Sequence, residues 1–189
     1  MTAMSTPAHR ICHPYDEYLV LEGHSNIRHE FLDGQIYAMS GGTPEHAALA
    51  AAVIESLQLR DTGCRSYTSD LRVRTPSGLT TYPDITIICG SSERYAEDKD
   101  AVTNPTILIE VLSPSTEQYD RGDKFAHYKS IQSLRQVVFV SHRERALEVW
   151  TRGGETGWLR VVAREGEIAE LAIGARLDVR QVYERARGA

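Results

Sequence analysis

Thr106-Ile107-Leu108-Ile109-Glu110-Val111-Leu112-Ser113-Pro114 is the stretch that decides the fold. Its nearly unbroken β-branched and apolar run predicts a strand buried on both faces, with one carboxylate, Glu110, near its end. A buried charge without a partner costs several kcal/mol or shifts its pKa, so Glu110 predicts a polar neighbour. Pro114 ends the strand, having no N–H to give a sheet. Ser115 stands three residues before Gln118, the spacing of a helix capping box. A polar helix over residues 117–131 then carries Asp120, Asp123, Lys124 and Tyr128. On so polar a helix, Lys124 is expected to be replaceable without cost to the fold.

Upstream, Pro14 to Leu21 predicts a short helix ending before Gly23. His29–Leu32 and Gln35–Met39 flank Asp33-Gly34, a strong hairpin signal. Thr43-Pro44 is an N-cap and first helical residue for an alanine-rich helix reaching about Arg60. Residues 65–74 and 81–89 each predict one strand, and residues 90–104 a polar connection. Downstream, residues 135–140 predict a buried strand. Residues 146–151 and 158–163 predict a hairpin across Gly153-Gly154, and Asp178 is expected to cap a last helix. This order predicts one α/β domain over residues 14–189 around a central mixed sheet flanked by helices, preceded by a flexible tail, residues 1–13.

The chain has 189 residues, 41% hydrophobic and 25% charged, with net charge −5. That balance argues against coating nucleic acid through bulk positive charge, so any contact needs a local basic patch, for which Arg72, Arg74, Arg121, Lys124 and Lys129 are candidates. No apolar run is long enough for a membrane span. Three scattered cysteines, Cys12, Cys64 and Cys89, and no signal-peptide core point to a reducing cytoplasm.

Pro83 places Asp84 at a strand start or an irregular spot, and Glu110 lies late on a strand that could adjoin it. Two carboxylates at one sheet edge suit a hard divalent cation, and Lys124 on the next helix can reach the same edge. The bland alternatives are a chance Pro-Asp, a cap glutamate and an Asp120–Lys124 surface pair. Asp70 is a further metal candidate, against neutralisation by Arg72 and Arg74. His46, in the first turn of the second helix, is a candidate supporting residue. No P-loop lysine follows Gly41-Gly42, and no nucleophile elbow frames Ser113 or Ser115.

These residues also carry a resemblance. Phe31–Ile36, Ser69–Val73, Tyr82-Pro83-Asp84, Ile109–Thr116, Asp120 with Lys124, and Tyr128 resemble the Uma2 family, within the PD-(D/E)XK nuclease superfamily. The resemblance implies a restriction-endonuclease-like fold and Mg²⁺ or Mn²⁺ held by Asp84 and Glu110. It further implies Glu30 as an added acidic group, Lys124 as catalytic lysine, Asp120 and Tyr128 in support, and DNA as substrate. The superfamily lysine two residues after the strand glutamate is here Leu112, so Lys124 would replace it from the helix. The rival expectation is a non-catalytic binding or regulatory module. A homodimer through the C-terminal hairpin (Leu147, Val149, Trp150, Trp158, Leu159) is also expected.

Overall fold

The computed structural model describes residues 12–39, 41–153 and 157–188. Residues 1–11 of the expected tail, and Gly154 of the expected hairpin turn, lie outside them. The elements follow in chain order: α1 (Tyr15–His24), β1 (His29–Leu32), β2 (Gln35–Ala38), α2 (Pro44–Ser56), β3 (Cys64–Thr68), β4 (Arg72–Arg74), β5 (Thr80–Thr81) and β6 (Ile85–Cys89). Then come β7 (Arg94–Tyr95), β8 (Asp98–Val102), β9 (Ile107–Val111), α3 (Glu117–Tyr119), a π-turn (Asp120–Lys124), α4 (Phe125–Lys129) and β10 (Gln136–Val140). The chain closes with β11 (Ala146–Gly153), β12 (Gly157–Arg164), β13 (Ile168–Glu170), β14 (Arg176–Asp178) and α5 (Val179–Arg187).

The fold is the expected α/β class, with two mixed sheets where one was expected. One six-stranded sheet runs β2-β1-β5-β4-β8-β7 and the other β12-β11-β10-β9-β6-β3. In the second, β9 and β10 are parallel, and antiparallel strands flank them. β9 is buried on both faces, as its composition predicts. Ile107, Ile109 and Val111 pack with Val53 of α2, Leu57 just beyond it and Val182 of α5. Leu108 and Leu112 face the other way, against Phe125, Tyr128 and Phe139. Glu110 shares that second face by the period-two rule, between Leu108 and Leu112.

Two predicted strands prove to be four. Residues 65–74 divide into β3 and β4, and residues 81–89 into β5 and β6, each half in a different sheet. Ser69-Asp70-Leu71 and Tyr82-Pro83-Asp84 are the crossings. The polar connection at residues 90–104 contains the β7–β8 hairpin, in which Asp98 is buried by its ion pair with Arg72. Helix α2 stops at Ser56, short of Arg60, and α1 runs through Gly23 to His24. The Ser115–Gln118 capping box is not made; Ser113 Oγ accepts from Thr116 N–H instead, at 3.3 Å. Other local signals held. Asp33 and Gly34 both take positive φ, 48° and 76°, the primed turn that the β1–β2 twist requires. Thr43 caps α2 and Asp178 caps α5.

The cysteine reading fails in part. Cys64 and Cys89 are register partners on β3 and β6 and are disulfide-bonded, leaving Cys12 free. Their spacing therefore no longer argues for a reducing compartment. Among the described residues no helix is long and apolar enough to cross a membrane. The residues put forward for a dimer are mostly internal: Leu147 and Val149 lie in the core, while Trp150 and Trp158 pack beside Phe125. Leu159 remains exposed, with Val161, on the outer strand β12.

Candidate active site

The site forms where the chain crosses between sheets. β1 and β5 bring Glu30 and Thr81 from one sheet. Asp84, just before β6, and Glu110 on β9 come from the other, since Ile85 is the register partner of Ile109. Each carboxylate accepts from a backbone N–H of the facing strand segment. Val111 N–H donates to Asp84 Oδ2 at 2.7 Å, and Asp84 N–H donates to Glu110 Oε2 at 3.4 Å. Pro83 suits this spot because a ladder hydrogen bond is not asked of it.

Lys124 arrives from the helix behind. Its Nζ lies 3.0 Å from Glu110 Oε1, 3.5 Å from Glu30 Oε1 and 3.5 Å from Asp120 Oδ1. Tyr128 OH donates to Glu110 Oε1, one helical turn after Lys124. Tyr119 OH donates to Glu30 Oε2 at 2.8 Å, and Thr81 Oγ1 donates to Glu30 Oε1. The Leu112 position is filled by core, 1% exposed, so the ammonium that meets Glu110 comes from Lys124 instead.

Burial sets the electrostatics. Lys124 is 5% exposed and Glu110 4%. Burial lowers the Lys124 pKa, but Glu110, Tyr128, Glu30 and Asp120 outweigh it and hold it well above the ordinary lysine value. One lysine cannot balance four neighbouring carboxylates. Glu110 is accordingly pushed up to about 8, by burial first, against the attraction of Lys124 and helped by repulsion from Asp84 and Asp120. Asp120 is raised too, chiefly by burial. At the mouth, His46 Nε2 sits 3.2 Å from Asp84 Oδ2. That contact raises the imidazole pKa despite burial.

The structure thus brings together Asp84, Glu110, Glu30, Lys124, Asp120, Tyr128 and His46. It does not bring Asp70, which is exposed and partnered by Arg28 and Thr68. Nor do the arginines and lysines expected to form a DNA-facing patch lie free together. Arg72 pairs with Asp98, Arg74 lies over the Tyr15 ring, Arg121 binds Glu117 and Glu148, and Lys129 caps the Phe125 ring. Tyr119 and Thr81 are the site residues that the sequence did not reveal. In an α-helix, five residues place Tyr119 and Lys124 about 140° apart. The π-turn between them adds a residue to the turn and lets both reach Glu30.

Among the described residues no three His, Cys, Asp or Glu side chains are gathered as a metal cluster. The donor set nevertheless fits a hard cation. Mg²⁺ is commonly held by one or two carboxylates, with water and substrate oxygens completing the shell. Asp84 and Glu110 are two such carboxylates on adjacent strands, Asp84 partly exposed and Glu110 buried behind it, and the His46 ring already stands at Asp84 where a cation would be drawn.

Comparison with known proteins places the chain in a family. Residues 15–180 match the family model Uma2, described as "Putative restriction endonuclease", so the chain belongs to the Uma2 family. It is 31% identical over 172 residues to the uncharacterized protein slr1290 of Synechocystis sp. (strain ATCC 27184 / PCC 6803 / Kazusa), covering 89% of this chain and 90% of that one. A second protein of the same organism, sll1609, is 30% identical over 159 residues, covering 82% and 89%. The crystal structure of a "putative nuclease belonging to DUF820" from Anabaena variabilis ATCC 29413 superposes with a TM-score of 0.72 at 18% identity, covering 90% of this chain and 97% of that one. That likeness shows a shared fold, which with the family match is the restriction-endonuclease-like fold expected from the sequence.

Proposed function

We propose that this protein is a metal-dependent endonuclease that hydrolyses DNA phosphodiester bonds, with Mg²⁺ or Mn²⁺ on Asp84 and Glu110. The observation that carries this reading is a pair of carboxylates, Asp84 and Glu110, held on adjacent strands by backbone N–H donors, with Lys124 3.0 Å from Glu110 in a largely buried acidic cluster. A divalent cation bound there would supply Lewis-acid polarisation of a phosphate oxygen and a more acidic water. The chain's own residues do the rest. Tyr128, Lys124 and Asp84 N–H orient Glu110, while Tyr119 and Thr81 fix Glu30 beside the ammonium. Lys124 offsets the carboxylate charge so that the cluster can exist before the metal arrives. Its three N–H donors face three carboxylates, so its role in this arrangement is charge balance and placement of Glu110 and Glu30.

The commitment of Arg72, Arg74 and Arg121 to internal partners favours the rival reading, a binding or regulatory module that keeps the fold. Incubating plasmid and single-stranded DNA with the protein separates the two. Cleavage that needs Mn²⁺ and disappears in Asp84→Ala is the expected result; no cleavage of either substrate by the wild type favours the module. Thermal melts give a second readout, since a ligand that binds only the native state raises its stability. Excess Mn²⁺ should raise the melting temperature of the wild type and leave Asp84→Asn unmoved, and equal responses would remove Asp84 as a ligand.

A second copy of the chain fits this reading, because a two-fold pair of sites suits cutting both strands of a duplex. The outer edge of β12, with Leu159 and Val161 exposed, is where such a copy would pair. Light scattering at micromolar concentration should show a dimer that Val161→Lys breaks. A wild-type monomer across that range would discard the idea.

A further inference from the structure

Two side chains of the cluster are partly exposed. Asp84 and His46 are 18% and 22% exposed, whereas Lys124, Glu110, Glu30 and Asp120 are each below 10%. The imidazole Nε2 stands 3.2 Å from Asp84 Oδ2, the same oxygen that accepts from Val111 N–H. Its other side is seated against backbone. A Cβ at Gly42 would stand 2.9 Å from His46 Nδ1, so the ring occupies space that any larger residue there would claim. Thr43 Oγ1 accepts from His46 N–H at 3.3 Å and fixes the start of α2 beneath it. The ring is thus held between the Gly42 backbone and Asp84.

Resting on the reading of Asp84 as a cation ligand, we propose that His46 is a latch on the metal site: its imidazole and a divalent cation are alternative occupants of Asp84 Oδ2. A ring nitrogen that donates a proton toward this oxygen cannot keep its place when a dication binds the same oxygen at roughly 2.0–2.2 Å. Mg²⁺ and Mn²⁺ prefer carboxylate, carbonyl and water oxygens to imidazole, so the displaced ring is not the preferred ligand. Metal entry at that oxygen therefore requires the ring to leave its seat on Gly42.

Calorimetric titration of Mn²⁺ into the full chain tests this, with wild type, His46→Ala, Gly42→Ala and Asp84→Asn compared. Removing the competitor should tighten binding about tenfold to a hundredfold in His46→Ala, the range expected for losing a charge-assisted hydrogen bond. Gly42→Ala keeps the imidazole but fills its seat, and should shift affinity in the same direction. It also serves if His46→Ala folds poorly. Weaker binding in both variants would make His46 a ligand and overturn the latch, and unchanged affinity would make it a bystander. Loss of binding in Asp84→Asn, with no change in His46→Ala, removes the latch alone. Binding that survives Asp84→Asn, or no binding in any of the four, removes the Asp84 site and the latch with it.

Discussion

Lys124→Met is expected to destabilise the metal-free protein by about 3–5 kcal/mol at pH 8, the usual cost of removing one partner from a buried ionic cluster. Methionine keeps most of the stem's volume, so the loss reports the ammonium rather than a cavity. The sequence suggested otherwise, because residues 117–131 are largely polar and a lysine there reads as a solvated one. In the structure its side chain is 5% exposed and its Nζ faces Glu110, Glu30 and Asp120. Taking it away leaves those carboxylates facing one another and Asp84 with no internal counter-charge. They can respond by holding protons, so the loss should shrink at pH 5. Urea unfolding of both proteins at the two pH values measures it. A loss below about 1 kcal/mol at pH 8 would mean that solvent, rather than Lys124, balances the cluster.

That mistaken expectation shows which kind of information the chain carries openly. Local chemistry was legible: Asp33-Gly34 needs the positive φ that a hairpin turn supplies, Thr43-Pro44 starts a helix, and the run around Glu110 has no polar face to offer water. Asp84, Glu110 and Lys124 could be connected because strand, strand and following helix is a simple order of elements. What stayed hidden depends on partners far along the chain. Thr68 to Arg72 continues the alternation of β3, so nothing local marks the passage between sheets; at the second crossing only Pro83 hints at it. Asp98 looks like a loop residue until Arg72 and Tyr15 meet it. Cys64 and Cys89 become partners only through the register of β3 on β6. The burial of Lys124 is hidden for the same reason. Its polarity announces charge, and only the convergence of Glu30, Glu110 and Asp120 explains how that charge can be interior.

Glu110→Gln should flatten the pH dependence of stability between about pH 5 and pH 8 in the presence of EDTA. Burial raises the Glu110 pKa from its ordinary 4.5 to about 8, so in this window the folded state holds a proton that the unfolded chain has released. This contribution is present in full below the unfolded value and is lost progressively as pH rises to the folded one, by a few kcal/mol in total. Two neighbours act with the same sign. The His46 pKa is raised above 6.5, so its contribution is lost at the upper end of the window, and the raised Asp120 loses its own from the acid end. Glu117 and Glu148 are lowered, and their opposite contributions fall below pH 5. The wild type should therefore melt at progressively lower temperature from pH 5 to pH 8, and the variant much less so. Glutamine forfeits one carboxylate acceptor, so the variant starts less stable at pH 5; the gap to wild type should close or reverse by pH 8. Metal supplies the complementary readout, because a cation on Glu110 requires the ionised form and must expel that proton. Titrating Mn²⁺ into the wild type at pH 6.5, in two buffers of different ionisation enthalpy, should show proton release that Glu110→Gln lacks. An unchanged slope in the variant, with no proton released on binding by the wild type, would mean that Glu110 is already ionised in the metal-free protein.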